Sequence, residues 1–380
     1  MCEKIVGFVR DVFKTKDFIP LHAPKFAGNE ARYVQETINS TFVSSVGAFV
    51  DDFERKLSEY SGVERAVAVV NGTAALHIAL KLSNVEAGDL VITQALTFVA
   101  TCNAIRYCGA DPVFVDVDKE TLGLSAGAMQ LWLSENAVIE DGLCIHKLTR
   151  KVIRACVPMH TFGHPADLDG LVSVCAKWGI ILVEDAAESL GSFYKGRHTG
   201  SFGLISALSF NGNKIITTGG GGALLTNTEL GTRAKYLTTT AKRAHPYEYF
   251  HDELAYNYRL PNINAALGCA QMEVLDDYIG KKRQLASAYR DFFCGTQYAF
   301  VDEPLNCRSN FWLNAVVCEN EAHRNQLLEY TNNHGVMTRP IWVLMNKLPM
   351  FSSCLRGDLK NSEWLEERVV NIPSSVLTEV

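Results

Sequence analysis

The chain predicts an α/β fold: a mostly parallel seven-stranded sheet covered by helices, with a smaller C-terminal α+β domain. Three observations predict it. Apolar runs alternate with helical patterns through the first two-thirds of the 380 residues. The runs are short and almost continuously apolar, as strands buried on both faces are. After about residue 265 the alternation gives way to longer helices around one apolar run.

Each element follows from its residues. The N-terminal stretch from Met1 to Asp11 mixes charges into its apolar positions, which predicts an amphipathic helix rather than a signal peptide. Phe49, Val50, Phe53, Leu57 and Tyr60 recur at helical spacing before Gly62. Residues 66–70, 90–93, 112–117, 152–159, 180–183, 204–210 and 222–226 predict the seven strands. Between them, 74–82, 98–107 and 168–178 predict helices, the last closed by Gly179. Beyond them, 265–278 and 283–293 predict two helices, 311–317 a strand and 321–333 a helix. The expected division is a large domain over 1–265 and a small one over 266–380, with the N-terminal helix packed on the latter.

A formal net charge of -6 speaks against a general nucleic-acid binder, which needs a basic stripe. No apolar run approaches the roughly 18 residues of a membrane-spanning helix. The 11 cysteines show no CxxC and no spacing suited to zinc. Reduced thiols in a cytoplasmic protein without a metal are therefore expected.

Ligands of such sheets bind beyond the carboxyl ends of the strands. Three polar features fall there. Asn71-Gly72-Thr73 joins a strand to a helix, where glycine admits a ligand close to the backbone and free N–H groups face an anion. Thr73 can equally serve as that helix's N-cap. Asp185 closes an apolar strand, either to bind a cationic ring nitrogen or to cap the turn at Ala186-Ala187-Glu188. Lys214 follows Ser209-Phe210-Asn211-Gly212-Asn213 and precedes four glycines, Gly219 to Gly222. An amine, a strand-end carboxylate and a phosphate-ready helix start are what a protein needs to hold pyridoxal 5'-phosphate. Ser209 is placed to bond the phosphate. Phe98 is placed to stack on a flat heterocycle or to join the core. His160 and His164 follow a strand and belong either to the cofactor's surroundings or to the loop itself.

Asn71-Gly72-Thr73-Ala74-Ala75-Leu76, Thr97-Phe98, Glu184-Asp185-Ala186-Ala187-Glu188, Ser209-Phe210 with Lys214, and Asn257-Tyr258-Arg259-Leu260-Pro261 together resemble the DegT/StrS-type sugar aminotransferases. The resemblance runs from about residue 18 to Asn371-Ile372-Pro373-Ser374-Ser375. It implies a fold-type I enzyme that transfers an amino group from L-glutamate to a nucleotide-linked keto-sugar. By that resemblance Lys214 forms the Schiff base with the cofactor, Asp185 partners its ring nitrogen and Phe98 stacks on it. Gly72, Thr73 and Ser209 hold the phosphate, and Glu188 lies near the ring hydroxyl. Asn257 reaches the phosphate of a neighbouring subunit, which implies a homodimer with shared sites.

Ile19-Pro20-Leu21-His22-Ala23-Pro24, Gly28-Asn29-Glu30 and Phe42-Val43-Ser44-Ser45-Val46-Gly47 are similar to the subgroup of legionaminic-acid and bacillosamine pathways. There the substrate is a 4-keto-6-deoxy sugar with an acetamido group at C2, on UDP or GDP. Many relatives carry a glutamate where this chain has Gly220, so their sugar contacts do not transfer directly. Arg339 is a candidate for a carboxylate or diphosphate. Three alternatives are weaker. A sugar 3-dehydratase of this fold has histidine in place of Lys214. A non-catalytic cofactor-binding regulator finds no separate DNA-binding segment here. A nicotinamide oxidoreductase needs a GxGxxG after the first strand.

Overall fold

Seven apolar segments pair edge to edge in a computed structural model of the chain, whose described residues are 1–44 and 47–377. Ser45 and Val46 of the motif at 42–47 lie outside them. The strands are β1 (Arg65–Val69), β2 (Leu90–Gln94), β3 (Asp111–Val115), β4 (Ile153–Val157), β5 (Ile181–Asp185), β6 (Ile205–Ser209) and β7 (Gly222–Thr226). Their order is β1-β7-β6-β5-β4-β2-β3. The ladders from β6 across to β3 are parallel, whereas β7 runs antiparallel to both its neighbours. Val67, Val69, Val91, Val157 and Val183 are fully buried under helices, consistent with strands that read as unbroken apolar runs.

Two boundaries differ from the sequence reading and bear on the site. The strand predicted over 180–183 continues through Glu184 and Asp185, because the ladder to β6 persists as far as the pair Ala207–Asp185. The helix predicted from residue 74 starts at Gly72 and ends at Leu82. Its N-cap is Asn71, whose side-chain oxygen accepts from the Ala74 N–H at 2.8 Å. Thr73 is thereby freed of capping.

The two helices predicted after residue 265 are one helix, Asn262–Phe293, 32 residues long. Gly280 offers a break that costs about 1 kcal/mol in a helix interior. Buried residues on both sides of it, Leu275, Tyr278, Ile279, Lys282 and Leu285, offset that cost through packing. A second sheet is fully antiparallel, in the order Ala299–Phe300, Asn314–Val317, Val369–Ile372, Arg339–Pro340. The N-terminal helix Cys2–Phe13 places Ile5, Val6 and Val9 in one apolar cluster with Tyr289, Val316, Val370 and Ile372. No helix among the described residues is long and apolar enough to cross a membrane.

Candidate active site

The polar residues at the carboxyl ends of β1, β5 and β6 converge. Parallel pairing sets Ala207 of β6 against Asp185 of β5. Ser209 lies two residues further along β6, about 7 Å beyond at strand rise. Gly72 meets that same point from the far side. A Cβ built on Gly72 would lie 2.8 Å from the Ser209 Cβ. One built on Gly222 would lie 2.5 Å from the Asn71 carbonyl carbon. Only glycines let the helix start at Gly72 close onto β6 and β7 in this way. The first intrahelical bond runs from Ala75 N–H to Asn71 O at 3.1 Å. The N–H groups of Gly72 and Thr73 precede it and have no partner within the helix, and Gly72 lies against Ser209. That cradle fits a phosphate.

Asp185 is buried at the end of β5. Its Oδ2 accepts from the Thr101 hydroxyl at 2.6 Å and its Oδ1 from the Ala187 N–H at 3.2 Å. Burial pushes its carboxyl above the usual range. Thr101, Ala187 and the charges of Lys214 and His160 pull the other way without cancelling that push. The Ala187 bond means that Asp185 caps the following turn with one oxygen while the other is held by Thr101.

Lys214 projects from a loop pinned at its base. Thr218 N–H donates to Phe210 O at 3.0 Å, and Phe210 N–H to Gly221 O at 2.8 Å. The Lys214 Nζ lies 3.2 Å from Glu188 Oε1 and 4.1 Å from the centroid of the Trp312 ring. The other Glu188 oxygen accepts from the Phe162 N–H at 2.9 Å. Phe162 offers that N–H from a left-handed backbone, φ 59°, a conformation costly for an aromatic residue and concentrated at functional sites. Burial raises the Glu188 carboxyl, opposed chiefly by Lys214.

Phe98 precedes the helix Val99–Tyr107, which carries Thr101. Its ring is 48% exposed and approaches Trp342 edge-on at 6.4 Å, so one face stays open. The remaining predicted residues stand apart. Asn257 is exposed, and its side-chain oxygen accepts from Arg259 Nε at 3.2 Å. His160 donates from Nε2 to Glu184 at 3.1 Å and accepts from the Ala166 N–H, which makes it part of the buried frame. His164 is buried edge-on against Phe311, its imidazole pushed down to about 4 by burial. Arg339 donates from Nη1 to Asn332 Oδ1 and Thr338 O, both at 3.0 Å. Gly220 has open space where a side chain would stand.

Thr101, Trp312, Phe162 and Trp342 complete the site, and no role was read for them in the sequence. Thr101 had a signal: it falls one helical turn after Phe98, on a helix that starts at the rim. The other three arrive from distant loops and had none.

An amine against a buried acid, a second acid at the adjacent strand end, an open aromatic face and a glycine cradle fit pyridoxal phosphate and define an enzyme of fold-type I that uses it. Residues 24–379 match the DegT/DnrJ/EryC1/StrS aminotransferase family, and the chain belongs to it. It is thus a pyridoxal-phosphate-dependent aminotransferase. It is 36% identical over 358 residues to GDP-perosamine synthase of Escherichia coli O157:H7, covering 94% of this chain and 93% of the relative. Among solved structures it resembles a DegT DnrJ EryC1 StrS aminotransferase from Brucella abortus, at 25% identity and TM-score 0.83 over 91% of this chain and 90% of that one. It shares the fold of Spr1654 from Streptococcus pneumoniae in its PLP-form, at 23% identity and TM-score 0.84 over 96% and 94% of the two chains.

Proposed function

We propose that the protein transfers the amino group of L-glutamate to C4 of a nucleotide-linked 4-keto-6-deoxy sugar, giving 2-oxoglutarate and the 4-amino sugar nucleotide for a surface glycan or nonulosonic acid. One observation carries the reading: the Lys214 Nζ is held 3.2 Å from Glu188, and its charge also acts on the buried Asp185. The relative named GDP-perosamine synthase favours GDP as carrier. The motifs around His22 and Gly28 favour a 2-acetamido sugar.

Bound pyridoxal phosphate supplies an electron sink for negative charge developing beside the amine nitrogen. Gly72 and Thr73 would hold its phosphate by their N–H groups, with the hydroxyls of Thr73 and Ser209. Asp185, oriented by Thr101, would keep a proton on its ring nitrogen. Phe98 would stack on the ring. Glu188 would meet the ring hydroxyl and steadies Lys214. The Lys214 Nζ would take a proton from one carbon and return it to another as general base and acid. The same residue serves both half-reactions, so donor and keto-sugar occupy the site in turn.

A homodimer with shared sites belongs to this reading. Tyr247, Tyr249, Phe250 and Leu254 are exposed just ahead of Asn257, an apolar patch suited to an interface. Asn257 then reaches the phosphate held by a second copy of the chain. The division into a large and a small domain near residue 265 is kept with it, inside the helix Asn262–Phe293.

The test is to incubate the purified protein with L-glutamate and a panel of GDP- and UDP-linked 4-keto-6-deoxy sugars. Release of 2-oxoglutarate with a 4-amino product supports the proposal. Failure of every sugar, or undiminished turnover by Lys214→Ala, refutes it.

A further inference from the structure

Trp312 touches the reacting nitrogen, and the mechanism above gives it no task. Its ring is buried, and the Lys214 Nζ stands over it, 4.1 Å from the centroid. Among the described residues the one ion-pair partner of that Nζ is Glu188, at 3.2 Å. The amine thus lies between a carboxylate and an indole. An indole face attracts an ammonium through the ring quadrupole, most strongly where water is excluded. The Lys214 side chain keeps only 11% of its surface in solvent, which places this contact in that class.

The indole is fastened on several sides. Its ring N–H donates to Asn213 O at 2.7 Å, which ties it to the residue just ahead of Lys214. Its backbone N–H donates to Asn310 Oδ1 at 2.8 Å. The amide NH2 of that same Asn310 donates to the carbonyls of Glu188 and Leu190, both at 2.9 Å. Asn310 is fully buried, and its backbone N–H goes to Ser192 Oγ at 2.9 Å. A second path closes the circuit. The Phe162 N–H holds Glu188 Oε2, and Phe162 O accepts from the Leu313 N–H at 3.4 Å. Glu188 and Trp312 are therefore fixed to each other by bonds that do not pass through Lys214. A buried polar network whose members are satisfied rigidifies what it joins. This one frames both flanks of a single amine.

We infer that Trp312 is the seat of the Lys214 amine whenever that amine is free of the cofactor, and that its face favours the free ammonium over the cofactor-bound nitrogen. The preference follows from charge. A free ammonium concentrates its charge on one nitrogen and its three N–H bonds. In a Schiff base that nitrogen has given up two N–H bonds, and its charge spreads into a conjugated ring. The consequence for the reaction is a bias toward the form in which Lys214 is released. The inference rests on Lys214 as the residue that bonds the cofactor, and not on the identity of the donor or the sugar.

The experiment compares two cofactor forms in the whole protein. Pyridoxal phosphate bonds Lys214, and pyridoxamine phosphate leaves it free. Trp312→Leu removes the ring face. It should tighten the binding of pyridoxal phosphate relative to pyridoxamine phosphate by about three- to tenfold, the scale of a cation–π contact out of water. Competition between the two forms, read by absorbance, gives that ratio directly, and a general loosening of the pocket cancels from it. Trp312→Phe keeps a weaker face without the indole N–H and should shift the ratio the same way by about twofold. At a fixed ratio of L-glutamate to 2-oxoglutarate, the balance of the two forms should move by the same factors toward bound Lys214. A ratio unchanged or lowered in Trp312→Leu, or an equal shift in both variants, overturns the inference. Where Trp312→Leu does not fold, an unchanged ratio in Trp312→Phe overturns it. Borohydride reduction and peptide mapping locate the cofactor separately. A label on a lysine other than Lys214 overturns that assignment and the inference with it. A wild-type protein indifferent to L-glutamate overturns the donor reading alone, and the affinity ratio still decides the role of Trp312.

Discussion

Glu184 and Asp185 are neighbours on β5, both buried, and they project to opposite faces of the sheet. Their surroundings differ in one respect, the number of donors. Glu184 accepts from His160, from the N–H of Gly200 at 2.8 Å, and from those of Phe202 and Gly203, each at 2.7 Å. Burial works against its charge, yet these bonds hold its carboxyl below the usual range. Asp185 has two donors, and burial wins. A saturated carboxylate ties loops together and has nothing left to offer a ligand. An undersatisfied one holds its charge at a cost that a cationic ligand removes.

Substitution at the two positions should therefore separate activity from stability. Asp185→Asn keeps the size of the side chain and removes the charge. It should lower kcat by about 100-fold or more, the scale seen when a preorganised electrostatic partner is lost. Cofactor spectra and turnover check this, with the unfolding midpoint shifted little. A variant that retains near-wild-type kcat would break the comparison at its functional end. Glu184→Gln should do the converse. It turns an amide NH2 toward donors that need an acceptor, and should cost about 2–4 kcal/mol in denaturant unfolding. Activity per folded molecule should stay within a few-fold.

The sequence made one half of this contrast visible. Asp185 was legible because an apolar strand ended in an acid with no packing reason, and Lys214 because its loop carried the right neighbours. Glu184 beside it carries no such signal, because its partners come from the turn at 200–203 and from His160, which a linear reading cannot bring to β5. For the same reason the sequence leaves His160 open between the cofactor's surroundings and the loop, and its bonds to Glu184 and Ala166 make it part of the frame. The seven strands were readable from their apolar runs, and their order was not, since β7 turns back beside β6, which precedes it in the chain, and pairs on its other edge with β1 from far upstream. The long helix was cut in two at a point where propensity yields to packing. Trp312, Trp342 and Phe162 depend on tertiary approach alone.

Thr101→Ala sharpens the comparison by one bond. Its hydroxyl is one of two donors to Asp185 among the described residues, at 2.6 Å, so removing it raises the carboxyl further and weakens its grip on the ring nitrogen. A loss of roughly tenfold in kcat is expected, with more of the effect at the acid side of the profile. No change in kcat would mean that Asp185 is held by burial and Ala187 without help.

Acid unfolding gives the smallest and most specific effect. The folded value of Glu184 lies below its unfolded value, so its bonds contribute stability that is present above the ordinary carboxylate range. That contribution fades as pH falls from about 4.5 through the lowered folded value. Asp185 has the opposite sign. Its folded value is raised, so in the cofactor-free protein protonation relieves strain as pH falls through that value. Stability of wild type measured from pH 7 downward should therefore decline more steeply than that of Glu184→Gln, and less steeply than that of Asp185→Asn. Curves of equal slope for the two variants would show that the adjacent acids do not titrate as their donors dictate.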